Sequence, residues 1–599
     1  MIKVFRLMRP KLKFLAILTI LLTIVQVLCF LFSPNLFGSI VALFSQIDSG
    51  KDIRINILQN VGFTVPTVKA AIMWIAIIFA AIIFVGAFTS LSAAYLANYV
   101  GIMHSRNLRN QIWDHIMHFS KREIEKFTHA NLITRFTTDI QRVRHSVTNI
   151  LRTLITGPIN MIFGLVLALL INKNLSLILI FLLFPISIIL GIIAKKAIPR
   201  FRRETKYYED ISLEAQESIL GVRVIKSYNL EAQQENKFQE ANVGFSDLIK
   251  SNYNMLNIGL SLIFLFANLA TTALLATIGF INRGKIATKQ EYQDIIREIN
   301  IFISYIFVMI HGVLSSTMIS FNIARGIRSS KKLFEILETS PSIKFIESDK
   351  KITNGTIKFE NVSFAYYEKN VIENVSFTLK PGETLGIIGP TGSGKSTIAN
   401  LINHDYETNI GNVYIDGHNI KEIDTVSLNS AITYIYQIPA LISGTIKQNL
   451  LLAKQEATEE ELIAATKAAC AYDFINNFSK KFEHELETDA ANLSGGQKQR
   501  LSIAQGLLKM PKILILDDST SALDLKTESV VKANLKEYFK AYPLTKIIIS
   551  QKISSIMDAD KIIVMHHGKA EAIGTHNELL KTSQLYKEIV AVQLGGQSE

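Results

Sequence analysis

From residue 14 to residue 32 the chain is apolar and uncharged, about the twenty residues that a helix rising 1.5 Å per residue needs to cross 30 Å of hydrocarbon. Five further stretches, at residues 70–100, 150–171, 175–194, 257–281 and 299–323, are too long and too apolar for surface helices. The pattern predicts six membrane-crossing helices in a domain over residues 1–325. The first run is longer than the apolar core of a cleaved signal, and no small-residue cleavage site follows it, so it is expected to be the first span.

Between spans two and three, and again between spans four and five, the pattern changes. Polar and apolar residues alternate at helical spacing, as in Tyr207, Ile211, Glu214 and Ser218, which predicts long helices that leave the membrane. After Arg328 the composition turns soluble. Residues 356–364 and 371–379 read as strands, and residues 384–388 as a short buried strand followed by glycines and a helix. The expected layout is a polytopic α-helical membrane domain, a linker over 326–354 and an α/β domain over 355–599.

Charge fixes the orientation. The chain carries 63 Lys and Arg against 51 Asp and Glu, a net +12. Lys3, Arg6, Arg9, Lys11 and Lys13 precede the first span, and eight cations from Arg106 to Arg144 lie between the second and third. Both regions should face the cytoplasm, and so should both termini. The positive balance then follows from topology rather than from a nucleic-acid partner. Two cysteines, Cys29 and Cys470, cannot build a disulfide framework or a cysteine zinc site.

The α/β domain carries the chemistry. Gly389, Pro390, Thr391, Gly392, Ser393, Gly394, Lys395 and Ser396 fit G-x-x-x-x-G-K-[ST] between a strand and a helix read from Thr397, the context of a phosphate-binding loop. Its backbone N–H groups wrap phosphates, Lys395 neutralises β and γ oxygens, and Ser396 is suited to Mg²⁺. Residues 513–516 form an apolar strand ending in Asp517 and Asp518, which puts Asp517 beside the phosphates as a second Mg²⁺ candidate. Leu493-Ser494-Gly495-Gly496-Gln497 reads as a turn opening a helix whose free N–H groups could meet another nucleotide's γ-phosphate.

Together these residues resemble the ATP-binding cassette (ABC) family, and within it the exporter half-transporters that fuse six spans to one cassette. The resemblance covers nearly the whole chain and implies ATP and Mg²⁺ as cofactors, with membrane lipids and a transported substrate as further partners. It implies that Tyr366 stacks on adenine, that Gln437 senses Mg²⁺ and the γ-phosphate, and that residues 521–524, ending in Asp524, form the D-loop. In the family two cassettes close head to tail, so Ser494 to Gln497 would act on ATP held by a partner. Thr138 and Asp139, and Gly221 with Arg223, look like the regions near the coupling helices.

Where the family normally has Glu after the metal-binding Asp and His at the end of the next strand, this chain has Asp518 and Gln551. Asp518 is one methylene shorter than Glu, while a general base must lie about 2.6 to 3.2 Å from its water, directly or through a bridging water. A displacement of about 1 Å can cost roughly a hundredfold in rate. Gln551 cannot carry the charge of an imidazolium. The signature turn is intact, which implies unequal sites and resembles heterodimeric exporters in which a different partner chain supplies the working Glu and His. A slow homodimer and an ATP-gated channel or regulator are the alternatives. A third departure is a shortened loop ahead of Leu493.

The sixth span carries Ser304, His311, Ser315 and Asn322 within roughly 40° of one another on one helix face. Such a stripe lines a water-filled path or binds neighbouring helices. The expected activity is ATP-driven export of a small amphipathic molecule, drug, lipid or peptide across a plasma membrane. The Lys-, Ile- and Asn-rich composition points to a bacterial one.

Overall fold

The computed structural model describes residues 1–43, 53–58, 61–283 and 289–594. The chain divides into two compact units. One combines Met1–His115 with Ala130–Thr339, and the other combines Ile116–His129 with Ser340–Glu599.

The first unit is helical. Its long helices are α1 (Pro10–Leu43), α2 (Val68–Met117), α4 (Ile140–Ile171), α5 (Lys173–Leu220), α6 (Glu231–Ile281) and α7 (Lys289–Glu338), with a short helix α3 (Lys121–Phe127) between α2 and α4. Among the described residues six helices are long and apolar enough to cross a membrane. The four longest have 48 to 51 residues, or about 75 Å each, more than twice the hydrocarbon thickness. Leu31, Leu167, Leu179, Leu274, Phe302 and Tyr305 lie in one buried cluster that draws on α1, α4, α5, α6 and α7. Asn172 ends α4 and caps α5, its side chain accepting from the N–H groups of Asn174 and Leu175 at 3.1 and 3.3 Å, which makes a tight turn between the two helices.

Two boundaries differ from those read in the sequence. Helix α7 continues past residue 325 to Glu338, because Ser329, Ser330, Leu333 and Ile336 remain buried at helical spacing. Residues 116–129 belong with the α/β unit, although they lie in the middle of the membrane-domain sequence.

The second unit holds two sheets. An antiparallel sheet contains β1 (Ile357–Ala365) flanked by β2 (Asn370–Leu379) and β4 (Ile410–Ile415). The larger sheet contains β3 (Thr384–Ile388), β5 (Ile432–Ile435), β6 (Ile513–Asp517), β7 (Thr545–Ile549), β8 (Lys561–His566) and β9 (Lys569–Gly574). Its spatial order is β9-β8-β3-β7-β6-β5, parallel except for the β8–β9 pair. Strands buried on both faces explain runs such as Ile513-Leu514-Ile515-Leu516. The carboxyl ends of β3, β6 and β7 deliver the phosphate loop, Asp517 and the segment before Gln551 to one end of the sheet.

Candidate nucleotide site

The phosphate loop leaves β3 and enters α8 (Lys395–Ile402), two residues earlier than the helix start read in the sequence. Gly389 has φ 153°, and a Cβ there would lie 2.1 Å from the Met565 carbonyl oxygen, so only glycine fits. Lys395 Nζ donates to the Gly389 and Pro390 carbonyls, both at 2.9 Å. Burial lowers the Lys395 pKa, with Asp518 and Asp517 opposing the shift. Ser393 Oγ is buried with no hydrogen-bond partner among the described residues. Such an orphan in a phosphate loop fits a ligand that brings its own oxygens.

Ser396 Oγ donates to Asp517 Oδ1 at 3.0 Å, and Tyr434 Oη donates to Asp517 Oδ2 at 2.7 Å. Burial, and after it the Asp517 charge, hold the Tyr434 phenol well above its ordinary value, so it acts as a neutral donor. The oxygen-rich pair Ser396 and Asp517 fits a hard divalent cation. Gln437, two residues beyond β5, is exposed.

Tyr366 packs edge-on against Phe364 and Tyr406, with centroids 4.9 and 5.0 Å away. Its hydroxyl lies 3.3 Å from Thr397 Oγ1 and also accepts from Asn400 Nδ2 at 3.3 Å. A pocket opens beside it, lined by Arg122, Ala365, Tyr406 and Asn409 among others.

At the other side of the loop, Asp518 has left-handed backbone, φ 46°, which Asp tolerates better than most residues. Burial raises its carboxyl pKa; the Gln551 backbone N–H opposes this and the Asp517 charge adds to it. Gln551 is exposed. Its carbonyl accepts from Gln593 Nε2 at 2.7 Å, while Gln593 Oε1 accepts from Ile553 N–H at 2.8 Å.

The signature turn opens α9 (Gly495–Leu508) through a capping box. Ser494 N–H donates to Gln497 Oε1 at 2.9 Å, and Gln497 N–H donates to Ser494 Oγ at 3.3 Å. The amides of Gly495 and Gly496 occupy the first helical positions, where no intrahelical acceptor exists. A Cβ on Gly496 would sit 3.2 Å from the Ala522 carbonyl. Gln499, which the motif reading passed over, ties this helix to the D-loop by donating to Ser521 Oγ at 3.2 Å and accepting from Ala522 N–H at 3.0 Å. Asp524 caps α10 (Leu525–Tyr538), accepting from Thr527 N–H at 2.9 Å and Thr527 Oγ1 at 2.7 Å.

Thr138 and Asp139, expected near a coupling element, lie in the helical unit. Asp139 is buried there, accepting from Ser329 Oγ at 2.6 Å with Arg142 3.6 Å away, because a buried carboxylate needs donors and a counter-charge. The segment grouped with the α/β unit is centred on α3. Its sequence mark is the spacing Ser120-x-x-Glu123, a capping box in which Ser120 N–H donates to Glu123 Oε2 at 3.1 Å. Gly221 separates α5 from the short helix Val222–Ser227, which contains Arg223 and no buried residue.

Along α7, His311 and Asn322 are exposed and Ser304 and Ser315 are half-buried. The two serines bond to their own helix, at Asn300 O (2.8 Å) and Gly312 O (3.1 Å).

Residues 16–320 match the family model described as ABC transporter transmembrane region, and residues 372–521 match the model described as ABC transporter. A putative ABC transporter ATP-binding protein of Mycoplasma genitalium is 32% identical, over 98% of this chain and 97% of that protein. A putative multidrug export ATP-binding/permease protein of Bacillus subtilis is 30% identical, over 83% of this chain and 85% of its own. Among solved structures, a bacterial Atm1-family ABC exporter with ATP bound superposes with a TM-score of 0.75 at 22% identity, covering 98% of each chain.

Proposed function

Because this chain belongs to the ABC transporter family, as an exporter half-transporter that joins a membrane domain to an ATP-binding domain, we propose that it is the weakly hydrolysing subunit of a heterodimeric exporter. Its ATPase domain is coupled to transport across the membrane, and half-transporters of this family work as pairs. The single observation that carries the proposal is the combination of Asp518 and Gln551 with an intact signature turn.

ATP is held by the phosphate loop from Gly389 to Thr397, with Tyr366 beside adenine. Mg²⁺, when bound, would neutralise phosphate oxygens, held by Ser396, Asp517 and Gln437. Asp518 is the nearest this chain offers to a general base. Its reach is a methylene short of Glu, and a neutral Gln551 gives no cationic support to the γ-phosphate. ATP therefore stays bound here, while the amides at Ser494 to Gln497 close on nucleotide in the partner cassette. The exposed helix Val222–Ser227, with Gly221 and Arg223, is the surface offered to that second cassette. Val222 and Val224 within it, and Tyr228 just after it, are all exposed in a single chain.

The lysine and arginine excess supports cytoplasmic termini, and a bacterial plasma membrane accords with the bacterial relatives. The cargo is a small amphipathic molecule, drug, lipid or peptide, a class supported by the B. subtilis relative, a putative multidrug export protein. The stripe of Ser304, His311, Ser315 and Asn322 is assigned to the translocation cavity, since two members are exposed and the two serine hydroxyls turn to their own helix. Unchanged transport of dyes, lipids and peptides into vesicles after leucine replaces His311 and Ser315 would remove that assignment.

The test is ATP turnover by the purified chain alone and with a co-expressed six-span cassette chain carrying Glu and His at the corresponding positions. Slow turnover alone and brisk turnover together are expected. Brisk turnover by the chain alone would replace the heterodimer with an active homodimer.

A further inference from the structure

Tyr434 sits on β5, the edge strand beside β6, with Tyr434 in register opposite Ile515. That register carries its hydroxyl to Asp517 Oδ2 at 2.7 Å, while Ser396 occupies Oδ1 at 3.0 Å. A carboxylate oxygen that accepts one hydrogen bond keeps lone-pair capacity for a cation, and a donor from behind fixes the direction in which that capacity points. The Tyr434 ring is itself held. It stacks on Tyr436 with centroids 4.2 Å apart and planes inclined by 22°. Lys121 Nζ, from α3, lies 5.6 Å from the Tyr436 centroid and 5.9 Å from that of Tyr406, within cation–π range. The same ammonium donates to Asn400 Oδ1 at 3.2 Å and pairs with Asp405 at 3.5 Å, and Asn400 donates to Tyr366.

We propose that Tyr434 is a positioning residue that aims Asp517 at Mg²⁺, and that the stack Tyr434–Tyr436–Lys121 ties this aim to the segment Ile116–His129. The proposal rests on Asp517 being a metal-holding group. Lys121 then touches both ends of the nucleotide site, the metal end through two stacked rings and the adenine end through Asn400.

The experiment uses the full chain in lipid nanodiscs. Binding of a fluorescent ATP analogue is measured in EDTA and across a Mg²⁺ titration, for the unmodified protein and for Tyr434→Phe, Lys121→Met and Asp517→Asn. Tyr434→Phe keeps the ring and its stacking, so the fold is retained, which an unchanged melting temperature checks. It should raise the Mg²⁺ concentration for half-maximal effect about tenfold or more, with binding in EDTA unaltered. Lys121→Met should move the Mg²⁺ dependence the same way by a smaller factor. An unmoved Mg²⁺ dependence in Tyr434→Phe, with Asp517→Asn abolishing it, would overturn the role of Tyr434 alone. Its survival in Asp517→Asn would overturn the metal assignment itself. No shift in Lys121→Met would overturn the link to the segment.

Discussion

The signature turn and the corner formed by Asp518 and Gln551 belong to one cassette, yet they are built to different standards. The turn has a closed capping box, and Gln499 bonds it to the D-loop on both sides. At the corner, Asp518 is half-buried in left-handed backbone and Gln551 is exposed, with its carbonyl bonded to Gln593. On the proposed reading, binding and hydrolysis separate: the groups that would grip phosphate are retained, those that would activate water on this side are altered, and those that would serve a partner's nucleotide are kept. Two short helices show a similar contrast. Helix α3 buries Glu123 and Phe127, whereas Val222–Ser227 buries nothing and is the helix proposed to meet a second subunit.

The largest effect is expected at the shared grip. Lys395→Ala removes a charge-assisted contact of about 2–3 kcal/mol, so ATP affinity measured by equilibrium binding should fall roughly a hundredfold. Next comes the turn. Gly496→Ala presses a methyl against the Ala522 carbonyl and should cut turnover of the two-chain complex by about tenfold, the equivalent of about 1.4 kcal/mol. Affinity of this chain for its own ATP should stay unchanged. If that affinity fell instead, the turn and the phosphate loop would not serve different nucleotides. Gln499→Ala should cost about 1–2 kcal/mol of stability through the lost D-loop bonds, read as a lower melting temperature.

The smallest effect concerns pH. Folding raises the Asp518 pKa above the ordinary aspartate value of 3.8, so its ionised form opposes folding at neutral pH and ceases to do so once both states are protonated. Asp518→Asn should therefore melt slightly higher than the parent at neutral pH. The difference should vanish as pH falls through the raised value towards 3.8. A constant difference across that range would dissociate the corner's strain from its charge.

Contiguous motifs were legible in the sequence. Gly389 to Ser396, the strand ending in Asp517 and the turn at Ser494 each need only neighbouring residues, and the six apolar runs need only length. What sequence reading missed depends on residues brought together by folding. Tyr434 reaches Asp517 only through the parallel register of β5 and β6, and Gln499 meets the D-loop across 22 and 23 positions. The segment around α3 escaped sequence reading because a short helix marked by Ser120 and Glu123 is a weak signal beside fifty-residue helices. The end of α7 was read too early for a related reason: small buried residues such as Ser329 and Ser330 carry no hydropathy signal.

The most direct measurement is ATP hydrolysis by the purified chain before and after the double change Asp518→Glu with Gln551→His. The account predicts slow hydrolysis in the parent and a rise of about a hundredfold in the double variant, with ATP affinity little altered. Fast hydrolysis in the parent, or no gain in a double variant that still binds ATP, would contradict it.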